Sequence, residues 1–129
     1  MVRARELRFV FVVDDYDAAA RLYRDVFGLE VVMNLEGDGG RGVILKVPAA
    51  TLELADVEHG RIVDEVEVGR GLDDRVRIAV EVDELADAVE AVTGTGAEPL
   101  AAPVEAPWGD RIRRFRAKDG LQLTLFQST

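Results

Sequence analysis

The chain has 129 residues, 48% of them hydrophobic, with a formal net charge of −9, a single His and no Cys. That length suits one domain with a real core, and the apolar share excludes a disordered chain. The acidity argues against nucleic acid, whose phosphates require a basic face, and the lack of Cys excludes a disulfide framework or a thiolate metal site.

The first stretch, MVRARELRFVFVV, carries basic residues ahead of an apolar run too short for a signal peptide or a membrane span, so a cytoplasmic protein is expected. Leu7, Phe9, Phe11 and Val13 alternate with Arg8, Val10 and Val12, which predicts a strand with two differently covered faces. The period then changes. Ala19, Leu22, Tyr23, Val26 and Phe27 form an apolar helical stripe, with Asp14 or Asp15 available as the cap and Gly28 as the left-handed stop. EVVMNLEG (30–37) reads as a second strand, and Gly37, Gly39, Gly40 and Gly42 mark a tight turn into GVILKV (42–47). Pro48 breaks that ladder and ATLELA (50–55) predicts a fourth strand, giving βαβββ.

Residues 56–74 lack clear periodicity, are heavily charged and hold the lone His59, so they are expected to join two modules. His59 beside Glu58 on a polar stretch reads as surface. RVRIAVEV (75–82) then predicts a strand, 84–93 a helix, and AEPLAA (97–102) a short strand. A loop with Pro103, Pro107 and Trp108 leads into RIRRFRAK (111–118), and Asp119-Gly120 signals a hairpin into LQLTLF (121–126).

The second half repeats the first. Superposing 12–30 on 81–98 matches Val13 with Val82, Asp14 with Asp83, Asp15 with Glu84, Tyr16 with Leu85, Ala19 with Ala88 and, after one deletion, Gly28 with Gly96. TLEL (51–54) likewise matches QLTL (122–125). The expected architecture is α+β, two tandem βαβββ modules forming a curved mixed sheet around a cavity. Module one covers about 5–56, a joining segment 57–74, and module two about 75–127, all within a single domain over 1–129.

VVDDYDAAARLYRDVFGLEVV resembles the opening pattern of the vicinal oxygen chelate superfamily, and PWGDRIRRFRAKDGLQLTLF resembles its closing pattern. That superfamily includes glyoxalase I, extradiol dioxygenases, fosfomycin-modifying transferases and bleomycin-resistance proteins, so the resemblance implies a fold more than a function. Its enzymes hold a divalent metal with His, Gln or Glu on the first and last strands of each module. The resemblance places those four positions at Arg8, Glu53, Arg77 and Thr124. Only Glu53 could ligate, because a guanidinium stays protonated and Thr is a weak neutral ligand, so neither metal nor cofactor is expected.

Strand parity turns Phe9, Phe11, Leu52, Leu54, Val76, Ile78, Val80, Leu121, Leu123 and Leu125 toward the helices. It turns Arg8, Val10, Val12, Glu53, Arg77, Ala79, Glu81, Gln122, Thr124 and Phe126 toward the cavity. One expectation is that Arg8 and Arg77 pair with Glu53 and Glu81, replacing the metal by guanidinium cations. The other is that the arginines hold a carboxylate or phosphate, or that a glutamate holds an amine. Trp108 is either a lid that stacks on a ligand or a packing anchor.

The expected ligand site is therefore Arg8, Val10, Glu53, Arg77, Glu81, Trp108, Gln122, Thr124 and Phe126, with no catalytic residue assigned. The leading functional reading is a metal-free small-molecule-binding protein of the bleomycin-resistance-like type, extending to drug sequestration. Its partners are a small organic ligand and a second copy of the chain in a homodimer, with no nucleic acid and no membrane. A lyase, isomerase or dioxygenase-type enzyme using Glu53 or Glu81 as general base is the alternative, and a catalytically empty dimerising or regulatory module a third.

Overall fold

The computed structural model describes residues 3, 5, 6, 8–35 and 40–129. The predicted strand residue Leu7 and the turn residues Gly37 and Gly39 lie outside them. Among the described residues three helices and seven strands follow in chain order, and the architecture is α+β. Helix α1 starts as α over Tyr16–Ala20 and continues with π geometry over Arg21–Val26. Strands β1 (Glu30–Asn34) and β2 (Val43–Lys46) come next, then α2 (Val57–Val68), β3 (Arg77–Glu81) and α3 (Leu85–Thr93). The chain ends in β4 (Glu98–Pro99), β5 (Val104–Glu105), β6 (Arg111–Arg116) and β7 (Gln122–Gln127).

The second half builds a five-stranded mixed sheet in the order β3-β7-β6-β4, with β5 on the other end of β6. β3 runs parallel to β7, which runs antiparallel to β6. Parity places Ile78, Val80, Phe115, Leu123 and Leu125 on one face, where Leu22 of α1 and Leu85 and Val92 of α3 close over them into the core. Burial of these side chains is the main stabilising term, roughly 1.5–3 kcal/mol for each large apolar residue removed from water. Tyr23 joins the core edge and ties it to the β6–β7 turn, donating from its hydroxyl to Asp119 Oδ2 at 3.0 Å. Asp119 in turn accepts from the Leu121 amide at 2.9 Å, fixing the hairpin. Burial first, and then the Asp119 charge, push the Tyr23 hydroxyl far above its ordinary pKa, so it remains a donor.

Positions matched by the internal repeat share local conformation. Asp15 and Glu84 occupy the N-cap positions of α1 and α3, and Gly28 and Gly96 both adopt positive φ shortly after their helices. Only Asp15 caps with its side chain, accepting from the Ala18 amide at 3.0 Å.

The first half departs from the expected βαβββ. Residues 8–13 and 50–55 belong to no strand, and among the described residues the ladder of that half is β1 with β2, a two-stranded sheet with a register shift between Val31 and Met33. Phe9, Leu52, Leu54 and Val76, expected against the helices, are more than half exposed. Alternation makes a strand only where a neighbour supplies ladder partners, and among the described residues nothing pairs with these two segments.

The joining segment departs in the opposite sense, since most of it is the 12-residue helix α2. Asp56 caps it, accepting from the His59 amide at 2.8 Å, and Gly69 ends it in the left-handed region at φ 83°. Its inward stripe is Gly60, Val63, Asp64, Glu67 and Val68, spaced i, i+3, i+4, i+7, i+8. Two of those five are carboxylates, so the helical period is present but only partly in apolar residues. No helix among the described residues is long and apolar enough to cross a membrane.

Candidate functional site

The second face of the five-stranded sheet carries the candidate site. Register sets Arg77 beside Gln122 and Ala79 beside Thr124 across β3 and β7, and Thr124 beside Arg114 and Gln122 beside Arg116 across β7 and β6. Side chains on the same face of adjacent strands stand about 5 Å apart, so Arg77, Thr124, Gln122 and Arg114 form one polar patch. Its side chains are long and their charges are large, which makes hydrogen-bond satisfaction the deciding issue.

Arg114 is the centre of that patch and has no solvent exposure. Its Nε donates to Glu67 Oε1 at 2.7 Å, and its Nη1 donates to Asp64 Oδ1 at 2.5 Å and to Gln122 Oε1 at 2.7 Å. Both carboxylates come from α2, so this arginine fastens α2 to the sheet and α2 covers the face opposite α1 and α3. Its Nη2 is buried with no hydrogen-bond partner among the described residues.

Arg77 Nη1 donates to Thr124 Oγ1 at 2.9 Å. Among the described residues Arg77 makes no ion pair, although Glu67, Glu53 and Asp64 all act on its charge. Burial first, and next the like charge of Arg114, lower its pKa below the ordinary guanidinium value, yet an arginine remains protonated in neutral water. Arg116, at the solvent side of the same face, pairs with Asp74 through Nη2 to Oδ1 at 2.9 Å and through Nη1 to Oδ2. That guanidinium holds the Asp74 carboxyl below its usual range, against the opposing effect of burial.

The nine residues anticipated for a ligand site separate into three groups. Arg77, Gln122, Thr124 and Phe126 share the one face, Gln122 and Thr124 being almost fully buried. Glu53 lies in the exposed segment 50–55 within electrostatic reach of Arg77, and Glu81, beside Phe126, is exposed. Arg8, Val10 and Trp108 stand apart. Arg8 pairs with Glu6 at 2.9 Å on the surface, Val10 is 78% exposed, and Trp108 sits half exposed in the β5–β6 turn, where the Gly109 amide donates to Ala106 O. The expected pairing of Arg8 and Arg77 with Glu53 and Glu81 is therefore replaced. Arg8 takes a sequence neighbour, and Arg77 takes a neutral hydroxyl.

Three residues of the patch, Arg114, Glu67 and Asp64, were missed by sequence reasoning. RIRRFR reads as a basic edge strand, but it lies inside the sheet, where alternate arginines fall on the face covered by α2. The signal was available in the parity: Arg114 and Arg116 share the face of Thr124 and Gln122.

The positions that resemble a metal site do not fit a metal. Arg77 and Thr124 are already hydrogen-bonded to each other, a guanidinium has no lone pair to give, and Arg8 lies on the surface. Among the described residues no group of three or more His, Cys, Asp or Glu is arranged to hold a metal ion. His59 stands in the first turn of α2, exposed. A separate open depression of about 260 Å³ lies between α1 and the β1–β2 hairpin, where Arg41 pairs with Asp17 at 2.9 Å and stacks over Tyr16.

No curated protein matches this sequence. Among solved structures, fosfomycin resistance protein FosX from Mesorhizobium loti is 17% identical with a TM-score of 0.62, over 98% of this chain and 94% of that one. A glyoxalase family protein from Bacillus cereus gives the same identity and TM-score over 98% and 97% of the two chains. A glyoxalase/bleomycin resistance protein/dioxygenase superfamily member from Sphaerobacter thermophilus is 23% identical with a TM-score of 0.54, over 95% and 98%. At such identities the likeness concerns the fold alone. The sequence pattern of one family matches residues 7–125, nearly the whole chain, and this protein belongs to the Glyoxalase/Bleomycin resistance protein/Dioxygenase superfamily.

Proposed function

We propose that this chain is a metal-free small-molecule-binding member of its superfamily, of the bleomycin-resistance-like type, which holds an organic ligand without turning it over. One observation carries the reading. Where the superfamily's enzymes are expected to present metal ligands, this chain presents a cationic guanidinium hydrogen-bonded to a neutral hydroxyl, Arg77 to Thr124. A cation in place of a metal can still polarise or anchor an oxygen, but it cannot exchange ligands as a metal does. Polar groups on a sheet face covered by a helix suit orientation of a ligand. Drug sequestration is the biological form this reading takes, and antibiotics belong in the ligand panel.

The test is a thermal-melt screen of the purified protein against neutral, cationic and anionic organic compounds and a set of antibiotics, with chromatography of each stabilising compound after incubation. Stabilisation without consumption of the compound supports a binder. Consumption supports the lyase, isomerase or dioxygenase alternative, and no stabilisation by any compound supports the empty-module alternative.

Homodimer formation is part of the same proposal. Val10 and Val12 at one segment and Leu52 and Leu54 at the other stand exposed, Val12 at 95% and Leu54 at 86%, on backbone that belongs to no sheet. Exposed apolar side chains beside unpaired backbone favour pairing with another chain, and a second copy offers the same edges in twofold-related form.

A further inference from the structure

We infer that Arg77, Arg114 and Thr124 form a subsite for an oxyanion, a carboxylate or phosphate group carried by the ligand, a statement that rests on the small-molecule-binding reading above. Arg114 has five N–H groups; Nε supplies one and Nη1 two, and these meet Glu67, Asp64 and Gln122. The two on Nη2 meet nothing among the described residues, although the side chain is completely buried. Beside it, Thr124 Oγ1 accepts from Arg77, which leaves its hydroxyl proton available, and no described acceptor takes it. Arg77 commits only Nη1, so its Nη2 and Nε remain as further donors on the same face.

The patch therefore holds donors that no described acceptor meets, and they belong to three side chains that cross-strand register brings together around Thr124. A neutral ligand oxygen would satisfy one donor. An oxyanion presents several lone pairs in a compact group and matches two guanidinium edges and a hydroxyl at once. It also offsets the repulsion between Arg77 and Arg114, which the two α2 carboxylates reduce from a distance, both being ion-paired to Arg114 and neither to Arg77. The exposed Glu53 opposes an anion from a distance, but solvent screens it far more than the buried donors.

The test uses the intact protein with two probes, inorganic phosphate and acetate, each titrated at constant ionic strength against chloride by calorimetry and thermal melting. At a tenfold excess over its Kd, the better probe should raise the melting midpoint by about 3 °C or more. Arg77→Met should weaken its binding at least about tenfold, and Thr124→Val should weaken it severalfold, because each removes donors without touching the Arg114 anchor of α2. Rescue by Arg77→Lys should be partial, since an ammonium lacks the planar fork. A midpoint that neither probe moves would overturn the inference, as would a shift of equal size in Arg77→Met, which would mark general exclusion of the salt from the surface. Stabilisation by neutral or cationic compounds of the panel, but by neither probe, would overturn the oxyanion subsite and leave the binding proposal standing.

Discussion

Replacing Arg114 with methionine keeps the bulk of a buried side chain and removes its charge and all of its donors. Glu67, whose side chain is 5% exposed, would keep a carboxylate beneath α2 with no described partner, and Asp64 and Gln122 would each lose a donor. Removing one partner of a buried ion pair costs about 3–5 kcal/mol, because the remaining charge is neither solvated nor paired. For a domain of this size that corresponds to a midpoint lowered by roughly 10–20 °C. Glu67→Gln keeps an acceptor for Arg114 Nε and should cost only about 1–2 kcal/mol. In Arg114→Met/Glu67→Met no buried charge is stranded on Glu67, and about 1.5–3 kcal/mol of the loss should return. Urea denaturation of the parent, Arg114→Met, Glu67→Met and the double variant gives the coupling energy directly, and hydrogen exchange over 57–68 reports whether α2 detaches before the rest unfolds. An Arg114→Met variant that loses less than about 1 kcal/mol and keeps α2 protected would refute the role given to this arginine.

Further expectations concern pH, the helix stop and assembly. Asp74 has a depressed folded pKa, so its contribution is fully present above the unfolded carboxylate value of about 3.9 and is lost as pH falls through the lower folded value; Asp74→Asn should flatten the stability profile below about pH 4. Unchanged acid sensitivity in that variant would detach the profile from the Arg116 pair. Gly69→Ala forces a side chain into φ 83° at the end of α2 and should cost about 1 kcal/mol by denaturation, and an Ala variant as stable as the parent would mean that the helix end rearranges. Light scattering should give a species of twice the 14.1 kDa chain at micromolar concentration, with Leu54→Lys weakening the association and leaving the monomer folded. A monomeric parent protein would remove the dimer proposal.

Much of the second half was legible in the sequence because its local signals and its long-range partners agree. The alternation in 75–82, the i, i+3, i+4 stripe around Leu85, Val89 and Val92, and the Asp119-Gly120 turn each point to an element whose neighbours lie in the same half. The face assignment followed from the same parity, so Arg77, Gln122, Thr124 and Phe126 fell together. The family resemblance rested on the opening and closing motifs, and those stretches form α1 and the β6–β7 hairpin.

What tertiary structure alone decided is what each side chain meets. Alternation in 8–13 and 50–55 states a preference for extended backbone, but a ladder needs a second strand at hydrogen-bonding distance, and local sequence does not specify whether one is present. The helix α2 was hidden because its inward face includes two carboxylates; Asp64 and Glu67 are inward only because Arg114, 50 and 47 residues further along the chain, is there to receive them. A charge reads as solvent-facing until its counter-charge is found, and the pairing distance is set by the fold. In the same way Arg77 was legible as an inward cation, while the identity of its partner, a threonine hydroxyl, was settled by the parallel register of β3 on β7.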